Sequence, residues 1–321
     1  MSGTAPTILW LRRDLRLSDH PALSAALAEG GPVIPLFIRD AATDSLGAAP
    51  KWRLGEALGV LEEALKAQGS GLVLRSGAAL DVLGAVIAET GARSVHWSRL
   101  YDPEAIARDT AVKSALRKTG ITAESHGGHL LFEPWTVQTG QGGFYRVYTP
   151  LWRAVKDREV AAPAPAPGRL PAPEHWPQSE HLADWDLGRA VHRGAAIIGR
   201  HAAIGEEAAH RRLAHFTAEI VGGYDTSRDC VAEDGTSRLS AHLALGEIGP
   251  RTCWHAGLRA FHDGKPGAET FLKELVWREF AYHLLYHTPH LTSDNWRQAW
   301  AAFPWNEDAT TPEAVAWTQG R

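Results

Sequence analysis

A proline-rich segment near the middle of the chain most constrains how the chain can fold. The segment AAPAPAPGRLPAPEHWP at 161–177 repeats proline every two to four residues along most of its length. Proline has a fixed φ and no amide hydrogen, so such a run favours an extended connector over helix or sheet. We therefore predict an interdomain linker at 157–198, between a first domain at 1–156 and a second at 199–321. A chain of 321 residues is long enough for two domains.

The first domain alternates short apolar runs with helical patterns. The apolar runs lie at 7–11, 33–38, 71–75, 94–97 and 121–126, and the helical patterns at 21–30, 55–69, 81–91 and 108–120. Regular strand–helix alternation predicts an α/β domain with a Rossmann-like parallel sheet and helices on both faces. Ligands of such sheets bind near the carboxyl ends of the strands.

The second domain shows helical patterns without strands. These patterns lie at 204–221, 240–248, 252–264 and 268–287. The fold class that we predict is therefore an α/β domain followed by an all-α domain.

The segment after the first predicted strand, WLRRDLRLSDHPAL at 10–23, contains no GxGxxG or Walker A motif. It carries four charged residues, Arg12, Arg13, Asp14 and Arg16. From the residues alone we expect a solvated, salt-bridged turn here. Ser18 or Asp19 would then cap the helix that begins near Pro21.

Composition excludes several classes of protein. The net charge of −4 does not indicate a nucleic-acid binder, so any DNA contact must come from a local cationic patch. Cys230 and Cys253 give neither a disulfide framework nor a zinc spacing, which fits a reducing compartment. There is no signal-peptide pattern and no apolar run of membrane-spanning length, so we predict a cytoplasmic protein without a membrane partner. The sixteen histidines form no HExxH motif, and we predict no metal site.

The region from Tyr224 to Phe280 holds three polar motifs, YDTSRD at 224–229, GTSRLS at 235–240 and ELVWREF at 274–280. Glu274, Trp277 and Arg278 stand in an i, i+3, i+4 relation and would share one helix face. Such a face suits an aromatic, hydrogen-bonding ligand such as a nucleobase or a flavin.

Each of these motifs also has a purely structural interpretation. Glu274 and Arg278 could form a helix-surface ion pair, and Arg228 could pair locally with Asp229. GTSRLS could be an ordinary polar loop that ends in Ser240 as an N-cap.

Taken in order, the segments WLRRDLRLSDHPAL, YRVYTPLWRAV (145–155), YDTSRD, GTSRLS and ELVWREF resemble the DNA photolyase/cryptochrome family. The resemblance is greatest to class I photolyases, which repair cyclobutane pyrimidine dimers. It implies an antenna domain at 1–156 and a helical FAD-binding domain at 199–321. Relatives continue past the Gly320–Arg321 pair with a further helical region, so we expect a helical domain that is truncated at the C-terminus and incomplete.

The resemblance also implies roles for individual residues. It assigns FAD binding to Tyr224, Thr236, Ser237, Arg238, Leu239, Ser240, Phe271, Glu274, Trp277 and Arg278. It assigns DNA contacts to Arg228, Glu274, Trp277 and Arg278, with Glu274 and Trp277 touching the dimer. Trp305 matches the outer tryptophan of the electron-transfer chain, so the catalytic set is Glu274, Trp277 and Trp305.

The implied activity is that of a deoxyribodipyrimidine photo-lyase, acting as a monomer on UV-damaged DNA. FAD would be the cofactor, and the antenna chromophore would be a folate, a deazaflavin or a flavin. Leu100, Asp102, Thr292 and Ser293 replace the usual folate contacts. Three alternatives stay open: a cryptochrome-like photosensor, an inactive fragment without flavin, and an unrelated helical binding module on a nucleotide-type α/β domain.

Overall fold

The computed structural model describes residues 4–321. Its sheet has five parallel strands in the order β3-β2-β1-β4-β5. The strands are β1 (Thr7–Leu11), β2 (Val33–Arg39), β3 (Val73–Ser76), β4 (Ser94–Ser98) and β5 (Thr122–His126). The predicted Rossmann-like parallel sheet is thereby confirmed, with each strand at its predicted place.

Thirteen α-helices are present within residues 4–321. They are α1 (Pro21–Ala28), α2 (Ala41–Asp44), α3 (Ala48–Ala67), α4 (Ala79–Thr90), α5 (Pro103–Lys118), α6 (Tyr148–Val155), α7 (Gly194–Gly199), α8 (Glu206–His215), α9 (Tyr224–Ser227), α10 (Ser240–Leu245), α11 (Pro250–His262), α12 (Ala268–His287) and α13 (Pro312–Thr318). The predicted helix at 204–221 is only partly correct, because α8 ends at His215 and a π-helical turn follows at Phe216–Ile220. No helix in the described part of the chain is long and apolar enough to cross a membrane.

Both faces of the sheet are covered, which explains why the strands read as continuous apolar runs. All five residues of β1 are buried. Leu9 packs in a core with residues of α1 and α3, whereas its neighbour Trp10 packs in a second core with residues of α4 and α5. The alternation of side chains along a strand therefore supplies two cores from one apolar sequence.

Three of the four charged residues after β1, Arg12, Asp14 and Arg16, are buried and only Arg13 is exposed, so the expected solvated turn is wrong. Arg12 donates to both carboxylate oxygens of Asp109, at 2.8 and 2.9 Å, and also to the carbonyl of Ser98. Arg16 is 1% exposed and donates to the carbonyls of Gly246 and Gly128, each at 3.0 Å. Buried charges are tolerated where they are paired and hydrogen-bonded, which is the case here.

The cap of α1 also differs from the expectation. Neither Ser18 nor Asp19 caps this helix; the N-cap is His20, whose Nδ1 accepts a hydrogen bond from the amide of Leu23 at 3.2 Å. Ser18 is occupied elsewhere, since its amide donates to Glu206 at 2.8 Å. Asp19 forms an ion pair with Arg251.

This segment joins the α/β domain to the helical domain. The amide of Leu15 donates to the carbonyl of Leu245 at 3.1 Å, and Glu206 of α8 accepts from the amide of Leu17 at 2.7 Å. Gly246 ends α10 with a φ of +69°, and a Cβ there would lie 2.1 Å from the carbonyl oxygen of Arg13. Only glycine allows both this left-handed turn and this approach of two backbones.

The proline-rich connector packs along the α/β domain. The carbonyl of Pro171 accepts from Val33 at 2.8 Å, and the amide of Glu180 donates to Leu74 at 2.8 Å. Leu170 is fully buried in the core beneath α3. Residues 161–181 contain neither helix nor strand, as the prolines dictate. The domain boundaries at 156 and 198 stay a prediction.

The helical core is built around α12. It combines residues of α8, α11 and α12 with Leu151 and Val155 of α6, the helix that leaves the α/β domain. Phe216, Phe271 and Trp254 are almost completely buried in it. The long helix α12 crosses this core and presents its remaining face to a cavity.

Candidate functional site

A cavity of about 410 Å³ lies between α9, α10 and α12. Its lining consists of Tyr224, Ser237, Ser240, Leu243, Ala244, Phe271, Glu274, Leu275, Arg278 and Tyr282. The three polar motifs that the sequence singled out, at 224–229, 235–240 and 274–280, therefore all contribute to one cavity. Six of the residues assigned to FAD binding line it: Tyr224, Ser237, Ser240, Phe271, Glu274 and Arg278.

Tyr224 forms one wall of the cavity at the start of α9. Its ring packs edge-on against Phe216 at 5.3 Å and against Phe271 at 6.1 Å between ring centroids. Burial, and then the charge of Glu274, raise the pKa of the Tyr224 hydroxyl. This tyrosine is therefore a neutral hydrogen-bonding group at the edge of an aromatic cluster.

A close approach of the backbone sets the position of Tyr224 against α12. A Cβ at Gly267, the residue before α12, would lie 2.2 Å from the carbonyl oxygen of Val221 and 2.7 Å from the amide nitrogen of Tyr224. Glycine at 267 therefore lets α9 pack directly on the beginning of α12.

The GTSRLS loop is held in place by an arginine that the sequence analysis missed. Arg212 of α8 donates to the carbonyls of Thr236 at 2.6 Å and Ser237 at 3.0 Å, and it also pairs with Asp234. Its place in the amphipathic pattern of α8 gave no sign of this role, because the partner loop lies more than twenty residues away. The loop thus reaches the cavity in a fixed conformation.

Three assigned residues of this loop do not line the cavity. Thr236 contacts Arg212 through its carbonyl, Leu239 is 1% exposed within the helical core, and Arg238 points toward Asp234, 2.8 Å away. The expectation of Ser240 as an N-cap is also wrong: Ser240 is the first residue of α10, and the preceding Leu239 has no capping side chain.

Glu274 and Arg278 line the cavity without pairing with each other. Glu274 instead forms an ion pair with Arg228 of the YDTSRD motif, and the Arg228–Asp229 contact is long at 3.9 Å. Arg278 donates to the carbonyl of His129 at 2.8 Å and to Glu279 at 3.1 Å. Glu274 and Arg278 therefore form no ion pair with each other. Glu274 pairs with Arg228 instead, and Arg278 binds the carbonyl of His129 and the neighbouring Glu279.

Arg278 is held by a buried polar network that the sequence analysis also missed. Glu279 accepts from the amides of Leu131 at 2.7 Å and Phe132 at 3.1 Å. Burial raises the pKa of Glu279 to about 7, although Arg278 and the two amides act in the opposite direction. His129 Nε2 lies 2.9 Å from the hydroxyl of Tyr282, a cavity residue.

Trp277 projects to one side of the cavity rather than into it. Its ring stacks on Tyr148 of α6, with centroids 3.7 Å apart and planes 6° from parallel. The residue is nevertheless 45% exposed. The predicted common face of Glu274, Trp277 and Arg278 therefore holds for the two charged residues, whereas Trp277 presents an exposed indole beside them.

Trp305 lies outside the cavity. It is 55% exposed, its Nε1 donates to the carbonyl of Trp300 at 3.3 Å, and its ring packs against Phe303.

The predicted antenna region shows a separate cavity of about 240 Å³ at the carboxyl end of β4. Leu100 lines it together with Trp97, Arg99, Tyr101, Lys113, Trp135 and Tyr286. Asp102 has a structural role there, since its carboxylate caps α5 by accepting from Ala105 at 2.8 Å. Thr292 and Ser293 are exposed and do not line this cavity.

Two family models match the chain. One, described as DNA photolyase, matches residues 7–169, and the other, described as the FAD-binding domain of DNA photolyase, matches residues 271–321. The chain is 46% identical over 320 residues to the deoxyribodipyrimidine photo-lyase of Agrobacterium fabrum, covering 99% of this chain and 66% of that protein. It is 30% identical to cryptochrome-2 of Arabidopsis thaliana, covering 98% of this chain and 54% of that protein.

A solved structure gives the same result. The crystal structure of a bacterial class III photolyase from Agrobacterium tumefaciens superposes with a TM-score of 0.95 and 44% identity, covering 100% of this chain and 66% of that one. The predicted subdivision, class I, therefore gains no support. The chain spans about two thirds of the length of the photolyases that it matches. Over that length, the sequence, the fold and the convergence of the three motifs on one cavity agree, and the chain belongs to the DNA photolyase/cryptochrome family.

Proposed function

We propose that this chain is the antenna domain and part of the FAD-binding domain of a light-driven DNA-repair lyase that acts on cyclobutane pyrimidine dimers in UV-damaged DNA. The observation that carries the proposal is the cavity in which Tyr224, Ser237, Phe271, Glu274 and Arg278 meet. Membership of the family supports it further. Because the chain spans about two thirds of its relatives, its activity, cofactor and DNA partner are proposed for the chain together with the remaining part of the domain.

The residues of the cavity fit FAD as a ligand. The hydroxyls of Ser237 and Ser240 and the guanidinium of Arg278 supply hydrogen-bond donors for phosphate or ring oxygens. Phe271 and Leu275 supply an apolar surface for an aromatic ring system. A largely apolar cavity with a few placed polar groups is the usual form of a cofactor site.

FAD held by Ser237, Ser240, Phe271 and Arg278 would supply light-driven electron transfer to the dimer. The residues of the chain bind and orient the reactants. Glu274 lines the cavity and is partly exposed, and in this proposal it accepts a hydrogen bond from a thymine and stabilises charge that develops there.

Arg228 and Glu274 form an ion pair that is about one third exposed at each side chain. Ion pairs of this exposure contribute about 0–1 kcal/mol, so a stronger partner can displace either residue. We infer that a DNA phosphate takes Arg228 and leaves Glu274 free for the dimer. Because the chain has a net charge of −4, such local cations matter for DNA binding.

Trp277 is the proposed stacking surface for the dimer. Tyr148 supports the indole from one side, and 45% of the residue remains exposed. Base–aromatic stacking contributes about 1–3 kcal/mol per base, which offsets part of the cost of extruding the dimer from the duplex. Trp305 is proposed as the solvent-side electron donor, consistent with its exposure.

An antenna chromophore is proposed for the cavity at the carboxyl end of β4. Trp97, Trp135 and Tyr286 offer aromatic surfaces there, and the lining carries two cations, Arg99 and Lys113, against one carboxylate, Asp109. This end of a parallel sheet is where ligands of such folds bind. An anionic aromatic molecule, whether folate, deazaflavin or flavin, suits this lining.

A cryptochrome-like photosensor is the second candidate. The 30% identity to a plant cryptochrome favours it, since the match includes 98% of this chain. A sensor would use the same flavin cavity but would have no need of Glu274 and Trp277 as dimer contacts.

The first test is the flavin-to-protein absorbance ratio of the purified chain after gel filtration with FAD. We expect retained flavin in the wild type and a loss of at least half of it in the double variant Ser237→Ala/Ser240→Ala. Ser114→Ala, an exposed serine on α5, is the matched control. A chain without flavin would mean that the cavity needs the remaining part of the domain, and equal retention in the double variant would remove the two hydroxyls from the site.

The second test separates repair from sensing. The chain, completed with the missing portion of a photolyase relative, is illuminated with blue light in the presence of dimer-containing oligonucleotide, and dimer loss is measured. Light-dependent repair supports the lyase. Flavin photoreduction without dimer loss would instead support the photosensor.

A further inference from the structure

Three side chains with metal-binding groups project from the last two strands of the sheet. His96 lies on β4, and Glu124 and His126 lie on β5. His96 is in register with Glu124, and Ser98 with His126. Side chains two apart on a strand share a face, so all three project from the same face of the sheet at its β5 edge.

The three side chains are close enough to share one ion. Ligand atoms of His96, Glu124 and His126 all lie within 4.8 Å of one another. His96 Nδ1 lies 2.9 Å from His126 Nε2, and the two rings stack with centroids 5.1 Å apart. Two imidazole nitrogens and a carboxylate oxygen are ligands that zinc prefers in proteins.

The far nitrogen of His96 supplies a second, independent observation. His96 is 2% exposed, and its Nε2 forms no hydrogen bond in the described part of the chain. The closest carboxylate oxygen to it is Oε1 of Glu29, at 3.4 Å, just beyond α1. A carboxylate that accepts a hydrogen bond from the second nitrogen of a histidine orients metal-binding histidines and fixes their tautomer. Glu29 lies near enough to take this role by a small movement of its exposed side chain.

We propose that His96, Glu124 and His126 form a Zn²⁺ site, with Glu29 as a positioning residue. Tetrahedral zinc at about 2.0–2.1 Å from each nitrogen separates the two nitrogens by roughly 3.3 Å, so the rings move apart by less than half an ångström. Glu124 is exposed and can supply the third ligand, and water completes the coordination.

Such an ion would fasten the edge strand β5 to β4. The chain continues from β5 directly to His129, which contacts Arg278 and Tyr282 of the proposed flavin site. Zinc binding at the sheet would therefore stabilise the segment that supports α12, at a distance from the cavity itself.

The test is to treat the full chain with a chelator and then titrate it with Zn²⁺ in an isothermal titration calorimeter. We expect one site in the wild type, and at least a tenfold weaker affinity in Glu124→Gln and in His126→Ala. Glu29→Gln should weaken the affinity by about 10-fold or more, as outer-shell changes typically do. His175→Ala is the matched control, because His175 is exposed and lies outside the cluster.

Glu124→Gln keeps the proposal testable if His126→Ala does not fold, since Glu124 is exposed. A second readout is the melting temperature with and without Zn²⁺, which should rise for the wild type and for His175→Ala only. Absence of a stoichiometric site in the wild type, or equal affinity in Glu124→Gln and His175→Ala, would overturn the proposal and leave an ordinary hydrogen-bonded histidine pair.

Discussion

Two regions of this molecule carry clusters of charge, and they use them differently. In the segment after β1, Arg12 and Arg16 are almost fully buried and hydrogen-bonded to fixed partners. At the cavity rim, Arg228 and Glu274 are about one third exposed and contact only each other strongly. Removing one member of a buried cluster leaves its partners unsatisfied, whereas an exposed pair can exchange partners at little cost. The first region is thus suited to hold two domains together, and the second to bind and release a ligand.

The largest expected effect is on the buried cluster. Arg16→Met removes the donor to the carbonyls of Gly246 and Gly128 and leaves them buried without a partner. We expect a loss of about 3–5 kcal/mol in the free energy of unfolding, measured by urea denaturation. The control Arg238→Ala removes an exposed arginine and should cost less than about 0.5 kcal/mol. Similar losses of unfolding free energy in Arg16→Met and Arg238→Ala would show that a buried arginine stabilises this protein no more than an exposed one.

Acid should weaken the protein through its buried histidines. Burial lowers the pKa of His20 and of His283 to about 4, and that of His129 well below its usual range. In the unfolded chain these groups titrate near 6.5, so as the pH falls below about 6.5 the unfolded chain takes up protons that the folded chain does not, and stability falls. Glu279, whose pKa burial raises to about 7, acts in the opposite sense but is a single group.

The measurement is the melting temperature as the pH is lowered from about 7 to 5, the window in which histidine protonation favours the unfolded chain. We expect a fall in the wild type and a larger fall in Glu279→Gln, which lacks the opposing carboxyl group. A flat profile in both would mean that the histidines become protonated in the folded protein.

A smaller effect is expected for the exposed pair. In the protein completed with the rest of its helical domain, Glu274→Ala should slow repair several-fold while the flavin stays bound. The reason is that the Glu274 side chain is about one third exposed and paired only with Arg228, so its loss removes a ligand contact without disturbing the core. Quantum yield of dimer splitting and flavin content are measured on the same sample, with Glu269→Ala as an exposed control on the same helix. Repair at the wild-type rate would remove Glu274 from the mechanism.

The smallest effect is expected at the stacked pair. Tyr148→Leu removes the ring beneath Trp277, a contact worth about 0.5–1.5 kcal/mol. We expect a shift in tryptophan fluorescence and weaker binding of dimer-containing DNA, with flavin content unchanged. Unchanged DNA affinity would show that Trp277 needs no support from α6.

The sequence was a good guide to the strands and a poor guide to burial of charge. The runs at 7–11 and 33–38 were identified because strands covered on both faces consist of apolar residues throughout. The burial of Arg16 could not be read locally, since it depends on Gly246, 230 positions away. Its local sequence has the charge density of an exposed turn.

The sequence likewise identified only those residues of the candidate site that lie in or near short local motifs. Tyr224, Ser240 and Phe271 line the cavity from α9, α10 and α12, whereas Ser237 lies in a loop that Arg212 holds in place. Their role in FAD binding stays a prediction. Arg212 and His129 were missed, since each supports the site from an element distant in sequence. Glu279 lies within ELVWREF, but its role was missed because its partners, the amides of Leu131 and Phe132, are distant in sequence. The proximity of His96 and His126 was likewise invisible to motif searches, because strand pairing, and not spacing along the chain, brings them together.

The path of the connector has a consequence for the behaviour of this protein in concentrated solution. β3 is the outermost strand on one side of the sheet, yet its amides at Leu74 and Ser76 donate to Ser179 and Glu180. An uncovered strand edge is a template for association with another chain. Ser179 and Glu180, which lie just after the proline-rich segment, therefore close this edge against self-association, while the segment itself carries the chain from one domain to the next.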